Sequence, residues 1–386
     1  MPVWLFAALS VAAFASSATL RIADSLLPEI AAEFATTPGA AAAGVITTFT
    51  VAYGGIQIAF GPIGDRFGKV HTIAVASLLS VLAQIACALS ESLDQISLAR
   101  IVAGATAGGV IPLCLAWIGD VVSFEDRQRV LARFLLGQIF GLASGQALGG
   151  LIGDAFGWRA SFLMLAGLYL LGGIAPFLAL RFRPALEDSG AMGRAGRIRP
   201  LEALARPRVR LVLTTVFLEG AAMYGAFAYA GTDLQQRFGV SVATSGILLT
   251  AFAFGALGYA LAVGRLVAAM SRARIALLGS LALAAGFAAF ALIPSLAVAL
   301  VALAVIGFGF YMLHNSLQTE ATQMIPEARG TALAMFAAML FIGQAAGVAL
   351  AGPFFDRVGG PPLYLAAAAL LPLIAARFAR GLAART

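Results

Sequence analysis

Several ionisable residues lie inside long apolar stretches of the chain, where a charged group is costly and tends to be functional, and those of most interest are Arg21, Asp24, Arg100, Glu219 and His314. Asp24 follows Arg21 by three residues, so on a helix the two side chains lie one turn apart. Arg100, in the fourth apolar run, lies at a depth that permits pairing with the same carboxylate. The group can exchange a proton, because its proton affinity depends on burial and nearby charge. A fixed salt bridge with a snorkelling arginine is the other interpretation.

Glu219 and His314 present a second titratable pair of candidates. Glu219 has no charged neighbour within one turn, so it needs a partner on another helix or its own proton. His314 can titrate near neutral pH, or stay neutral and hydrogen-bond to a neighbouring helix. His, Cys and carboxylate residues show no metal-ligand spacing, and no phosphate-binding loop occurs. We therefore predict no metal, no cofactor and no enzyme activity.

The composition places these residues in a membrane protein. Of the 386 residues, 61% are hydrophobic and only 11% are charged, and the mean hydropathy is +0.94. A soluble domain carries about 25% charged residues, so this chain cannot present an ordinary wet surface. The net charge of +7 suggests a nucleic-acid partner at first sight. The basic residues lie between apolar runs, however, and the positive-inside rule explains them without nucleic acid.

Twelve apolar runs are long enough to cross a bilayer, and in lipid such runs must be helical. The first has no basic region before it and continues to Glu33, so we interpret it as a span and not as a cleaved signal peptide. The two cysteines, Cys87 and Cys114, fall within apolar runs and indicate no disulfide framework. The predicted spans are 4–32, 41–62, 70–91, 95–119, 131–152, 160–181, 209–234, 243–265, 274–293, 296–318, 330–351 and 362–379.

The basic residues predict the orientation. With the N-terminus inside, the cytoplasmic segments hold most of the 25 Lys and Arg residues, which places both termini in the cytoplasm. One long connection, 182–208, is rich in Arg, Gly and Pro and separates six spans from six. It predicts an N-terminal half over 1–181 and a C-terminal half over 209–386, with a short surface helix near Pro200–Arg206.

The two halves repeat in sequence. Shifting residues 127–157 by 202 positions aligns Arg127 with Arg329, Gly145 with Gly347 and ten further identical pairs. The repeat pairs span 5 with span 11. Parallel repeats of this kind are typical of secondary transporters.

The connection after span 2 contains Gly61, Gly64, Asp65, Arg66, Gly68 and Lys69. It resembles the G-x-L-a-D-R-x-G-R-K signature of the major facilitator superfamily, with Val70 departing from the pattern. The resemblance implies that Asp65 lies near the start of span 11, around Arg329 and Gly330, where a positive helix end favours an acid. Asp120 is then a partner for Arg66 or Lys69. Such contacts hold the halves together while the cavity faces outward, and break when it faces inward.

Span 5 carries Gly141, Gly145, Gly149 and Gly150, and resembles G-x-x-x-G-P-x-x-G-G of the antiporter branch, with Gln146 in place of the proline. Glycines at this spacing also allow close helix packing, which is the alternative explanation. Span 4 resembles the R-x-x-x-G pattern of drug-efflux members through Arg100 and Gly104. Span 1 resembles their D-x-x-x-P pattern through Asp24 and Pro28. This resemblance implies a protonation site at Asp24 with Arg100 nearby.

The resemblance also indicates which spans line the pathway. Polar or aromatic residues on them are candidates for the cavity wall, although aromatic residues more often serve packing. The candidates are Tyr53, Gln57, Gln138, Tyr224, Tyr229, Tyr311 and Asn315.

We therefore predict an all-α membrane protein with twelve transmembrane helices in two pseudo-symmetric six-helix halves. It is identified as a member of the major facilitator superfamily that exports a small organic compound or drug in exchange for protons. The expected setting is a bacterial inner membrane, as a monomer without nucleic-acid partners. The alternatives are an uptake symporter or facilitator for a sugar or organic anion, a non-transporting sensor or scaffold, and a membrane enzyme, for which no nucleophile or metal constellation is found.

Overall fold

The protein is described by a computed structural model that covers residues 3–182 and 200–383. All of its regular elements in those ranges are helices. The elements of the first predicted half are α1 (Val3–Thr19), α2 (Leu27–Glu33), α3 (Pro38–Ala42), α4 (Thr48–Phe67), α5 (Lys69–Ala88), α6 (Leu93–Ala107), α7 (Val110–Val121), α8 (Phe124–Phe156) and α9 (Trp158–Phe182).

The remaining helices follow residues 183–199, which lie outside the described part. These residues make up most of the predicted 182–208 connection. The predicted surface helix near Pro200–Arg206 corresponds to a short helix, α10. These elements are α10 (Pro200–Ala203), α11 (Pro207–Phe227), α12 (Ala230–Phe238), α13 (Val242–Leu249), α14 (Ala251–Ala269), α15 (Arg272–Leu292), α16 (Leu296–Met324), α17 (Arg329–Val358) and α18 (Gly360–Ala383).

Eleven helical segments within the described ranges are long and apolar enough to cross a membrane, and a shorter apolar helix, Trp4–Thr19, precedes them. The prediction of one continuous first span over 4–32 was wrong. Its helix ends at Thr19 and resumes at Leu27 with Pro28 in the first turn. The residues between them form tight turns. In one of these turns the Asp24 N–H donates a hydrogen bond of 3.3 Å to the Arg21 carbonyl oxygen.

Several helices run past the predicted span ends. Span 5 occupies Phe124–Phe156 and span 10 occupies Leu296–Met324, because a helix continues through polar residues at which a hydropathy pattern stops. Span 2 includes a π-helical turn at Ala43–Thr47 between α3 and α4. Such a turn leaves a backbone carbonyl without its usual helical partner.

The sequence repeat is visible in the helices that it relates. α8 ends at Gly157 with φ 82°, and α17 ends at Gly359 with φ 78°. Both glycines adopt a positive φ that a side chain disfavours, and both lead directly into the next helix. The repeat thus places equivalent glycines at equivalent chain reversals.

The groups of helices before and after the undescribed stretch touch mainly at one end. There the Gly39 N–H donates to Asp356, and midway along the helices the Tyr53 and Phe341 rings lie 4.7 Å apart. Toward the other end, a side chain at Gly61 or Gly330 would meet open space. Given the predicted orientation, the interface is closed outside and open toward the cytoplasm.

Candidate functional site

Asp24 lies on the turn that interrupts the first span. Its side chain is fully buried, with 0% of the residue exposed. The oxygen Oδ2 lies 3.7 Å from Arg21 Nη1 and 3.4 Å from Gln146 Nε2, which donates to it. The second oxygen, Oδ1, has no hydrogen-bond partner within the described residues. A buried carboxylate with one oxygen free of hydrogen bonds can accept a proton on that oxygen.

Arg21 connects this carboxylate to the other half. Its guanidinium lies 4.1 Å above the Tyr224 ring and 5.9 Å from the Phe227 ring, both on α11. A cation over an aromatic face is attracted by the ring's negative centre. The backbones also meet here, since a side chain at Gly231 would contact the Asp24 carbonyl oxygen at 2.5 Å. The Arg21 and Asp24 pair therefore lies at the contact between the halves.

The glycines of span 5 explain how Gln146 reaches Asp24. Side chains at Gly141, Gly145 and Gly149 would collide with the backbone or side chains of residues 14–22 of span 1. Their absence brings α8 against α1, as small residues do at membrane helix contacts. Gly150 faces the other half instead, where a side chain would meet the Val242 carbonyl oxygen at 2.6 Å.

Arg100 is buried, with 1% exposed, but it is not an ion-pair partner of Asp24 among the described contacts. Of the two basic partners considered for Asp24, Arg21 forms the ion pair in this structure. The Nε of Arg100 donates to the Val45 carbonyl oxygen at 2.9 Å, and its Nη2 donates to the Thr19 carbonyl oxygen at 3.4 Å. Both carbonyls lie where an α-helix is interrupted. The guanidinium also lies 4.0 Å from the Phe49 ring.

Glu219 and His314 pair across the C-terminal half. The imidazole Nδ1 of His314 lies 3.0 Å from Oε2 of Glu219. Glu219 is 0% exposed and its Oε1 has no hydrogen-bond partner in the part of the chain described. Phe310 stacks on the imidazole at 5.0 Å. The partner that Glu219 requires is therefore supplied by span 10.

The loop signature after span 2 forms a compact turn. Gly68 ends α4 with φ 88°, and Gly64 packs against Leu113, which leaves no space for a side chain. Lys69 Nζ lies 2.6 Å from Asp120 Oδ2 and 3.8 Å from Asp65 Oδ1. Asp120 thus partners Lys69, while the Arg66 guanidinium lies 5.2 Å from the Phe67 ring.

Asp65 does not contact the start of α17 in this conformation. Its side chain is 62% exposed, and within the described residues its ion-pair partner is Lys69. Arg329 and Gly330 are exposed as well. The implied contact fails here because the halves are apart at this end, as the same resemblance implies for a cavity that faces inward.

The cavity candidates divide into two groups. Gln138, Tyr311 and Asn315 are partly exposed, whereas Tyr53, Gln57, Tyr224 and Tyr229 are buried. Tyr229 does not line a cavity in this conformation. Its hydroxyl donates to the Val348 carbonyl oxygen at 2.8 Å and its ring stacks on Phe355 at 4.7 Å, at the closed end.

Two features of the site were not found from the sequence. Gln146 was noted only as a departure from a motif, yet it is the donor to Asp24. Glu320, at the end of α16, is 5% exposed and binds Arg208 and Arg272, each at 2.7 Å. The sequence did contain a signal for Glu320. It is a lone acid near the end of a predicted span, and two separate loops carry basic residues that could pair with it.

Known proteins give an independent comparison. Residues 9–348 match the family model described as Major Facilitator Superfamily. The uncharacterized MFS-type transporter YwfA of Bacillus subtilis is 24% identical over 66% of this chain and 62% of its own length. Efflux pump radE of Floropilus chiversii is 24% identical over 60% of this chain and 48% of its length. The chain therefore spans about half to two thirds of these two relatives.

A relative that matches over more of the chain, and two solved structures, also belong to transporters. Probable transporter SCO4007 of Streptomyces coelicolor is 27% identical over 89% of this chain and 80% of its own length. A mutant of the nucleoside transporter NupG superposes with a TM-score of 0.81 at 13% identity, covering 99% of this chain and 100% of that one. An inward-facing bacterial homologue of the lysosomal transporter Spinster gives 0.79 at 18% identity, covering 99% and 97%. At these identities the structures show a shared fold.

Proposed function

The chain belongs to the Major Facilitator Superfamily, and from that premise we propose that it exports a small organic compound in exchange for protons. The proposal places it in a bacterial inner membrane as a monomer, with both termini in the cytoplasm. Relatives named as efflux pumps support the export direction.

The observation that carries the proposal is the position of Asp24. Its carboxylate is fully buried and shares one oxygen between Arg21 and Gln146, while its other oxygen is unbonded. Ionisable groups at such depth are costly and commonly serve proton relays.

Protonation of Asp24 changes the contact between the halves. Arg21 lies between Asp24 of its own half and Tyr224 of the other. When Asp24 is ionised, it balances the charge of Arg21. When Asp24 takes a proton, the buried charge of Arg21 loses its counter-charge. The cation–π contact with Tyr224 alone does not offset the cost of burying that charge, so Arg21 must move or find another partner. Proton binding thereby biases the equilibrium between the closed and open outer ends.

Glu219 with His314 forms a second candidate proton site. The pair lies on α11 and α16, and the His314 side chain is 13% exposed, so it is accessible from one side.

The substrate class is a small organic molecule with cationic or polar character, which the buried acids and the neighbouring aromatic rings would accommodate.

The test uses purified full-length protein in liposomes that contain a pH-sensitive dye. A proton gradient is imposed, and lipophilic cations, sugars and organic acids are added in turn. We expect substrate-dependent proton release from the lumen that is lost in Asp24→Asn. The matched control is Asp94→Asn, an exposed carboxylate at the start of α6, which should behave as the unaltered protein. Substrate flux without proton movement, unchanged in Asp24→Asn, would sink the proposal.

An uptake symporter or facilitator for a sugar or organic anion is the second candidate. It is favoured by Arg100, a buried cation whose donors bind backbone carbonyl oxygens and not a carboxylate. The same assay separates the two. Accumulation of an organic anion together with protons, abolished by Arg100→Gln, would support uptake and contradict antiport.

A further inference from the structure

An apolar groove runs along the membrane-facing side of α11, α17 and α18, outside the site already described. Its volume is about 610 Å³. The floor is built from small buried residues of all three helices, including Ala226, Gly347 and Ala367. The walls are large aliphatic side chains such as Leu350 and Leu370, which are themselves exposed.

The groove is long and has one polar end. Leu363 and Arg377 both line it, and on a helix their separation corresponds to roughly 21 Å. One leaflet of hydrocarbon is about 15 Å thick, half of the bilayer core. The groove thus extends through the depth of one acyl chain and ends at Arg377, where the side chain is exposed.

Arg377 is held in place but not neutralised. Its Nη1 and Nη2 atoms each donate to Thr214 Oγ1 at 3.1 Å, and it forms no ion pair among the described residues. The acids of the three groove helices are elsewhere. Glu219 is buried against His314, and Asp356 lies at the far end of α17. The mouth therefore presents uncompensated positive charge beside an apolar channel.

We propose that this groove binds an anionic phospholipid from the leaflet on the Arg377 side. The acyl chain lies over the small residues of the three helices, and the phosphate pairs with the fixed Arg377 guanidinium. Basic pockets between membrane helices recognise anionic head groups in this way, and arginine pairs well with phosphate. A zwitterionic lipid with the same chains fills the groove equally well but lacks the net charge that Arg377 favours.

The test is native mass spectrometry of the full-length protein in detergent, titrated with phosphatidylglycerol or with phosphatidylcholine of identical chains. We expect the first phosphatidylglycerol to bind about fivefold more tightly, as expected for one arginine near a charged head group. Arg377→Gln should abolish this preference and keep weak binding of both lipids. Ala366→Phe, which adds bulk at an exposed residue that lines the groove, should weaken both.

The matched controls are Arg133→Gln, an exposed cation at the same predicted side of the other half, and Ala369→Phe, an exposed alanine of α18 outside the groove. Both should bind lipid as the unaltered protein does. Three results would overturn the proposal: equal binding of the two lipids, a preference that survives Arg377→Gln, or a protein dimer that Ala366→Phe dissociates. The last result would identify a second copy as the occupant.

Discussion

The backbone N–H of Gly39 donates a hydrogen bond of 2.9 Å to Oδ1 of Asp356, which joins the start of span 2 to the end of span 11. The acid faces the first turn of a helix, where the unpaired N–H groups favour negative charge. Gly39 also approaches Gly352 so closely that a side chain at Gly39 would lie 2.6 Å from the Gly352 carbonyl oxygen. This bond holds the closed end of the bundle.

We predict that Asp356→Ala shifts the protein toward the outward-open state by about fivefold, because it removes an interaction of about 1 kcal/mol from the inward-facing state alone. Asp356→Asn keeps an acceptor oxygen and should shift it less. The measurement is electron spin resonance of the distance between labels at Ala32→Cys and Val358→Cys. Asp154→Asn, at the repeat-equivalent position, is the control, and an equal shift there would contradict the assignment.

Gly145 and Gly137 lie on the same helix and should respond in opposite ways to alanine. A side chain at Gly145 would collide with the Ala18 backbone, whereas one at Gly137 meets nothing within 4 Å. We expect Gly145→Ala to cost about 1–3 kcal/mol through overpacking. Gly137→Ala should be neutral or stabilising by up to about 1 kcal/mol, from helix propensity. Thermal unfolding in detergent, followed by tryptophan fluorescence, measures both, and equal responses would argue against close packing of α1 on α8.

Glu320 binds two arginines near the end of α16, Arg208 and Arg272. Replacing it by Gln should cost about 2 kcal/mol, since one acceptor oxygen is replaced by an amide N–H donor and the remaining hydrogen bond loses its charged acceptor. Arg208→Gln or Arg272→Gln should each cost less, because the other arginine still balances the acid, and their effects should not add. Denaturant unfolding of the single and double variants tests this. Strict additivity would show that the two arginines act independently. Glu327→Gln, which breaks the exposed ion pair with Arg206, is the comparison and should cost less.

Glu33 contributes stability that depends on pH. Burial alone would raise the pKa of Glu33, but hydrogen bonds from Arg159 and from the Trp158 indole outweigh it and hold that pKa below its usual value. The contribution is therefore present above the unfolded-state pKa and lost as the pH falls through the folded-state pKa.

We accordingly expect Glu33→Gln to lower the melting temperature at pH 7 and to have a smaller effect near pH 3.5. The comparison is made with Glu91→Gln, an exposed acid of a nearby loop. A difference between Glu33→Gln and the unaltered protein that stays constant with pH would rule out this linkage.

The sequence alone determined the helical class, the approximate spans and the family. Runs of about 20 mostly apolar residues must form helices in lipid, because only a helix satisfies their backbone hydrogen bonds there. The loop signature after span 2 is specific enough to identify the family. It also located Asp24, Glu219 and His314, because an ionisable residue in an apolar run stands out without any structure.

Only the tertiary structure decided which of these residues meet. Asp24 contacts Arg21 and Gln146 and not Arg100, because the interruptions at Thr19 and Ala43–Thr47 expose carbonyl oxygens that occupy Arg100 instead. Glu219 meets His314 across 95 residues of chain. A hydropathy pattern records how deep a residue lies along its own helix. It carries no information on the rotation of one helix against another, and that rotation selects the partners.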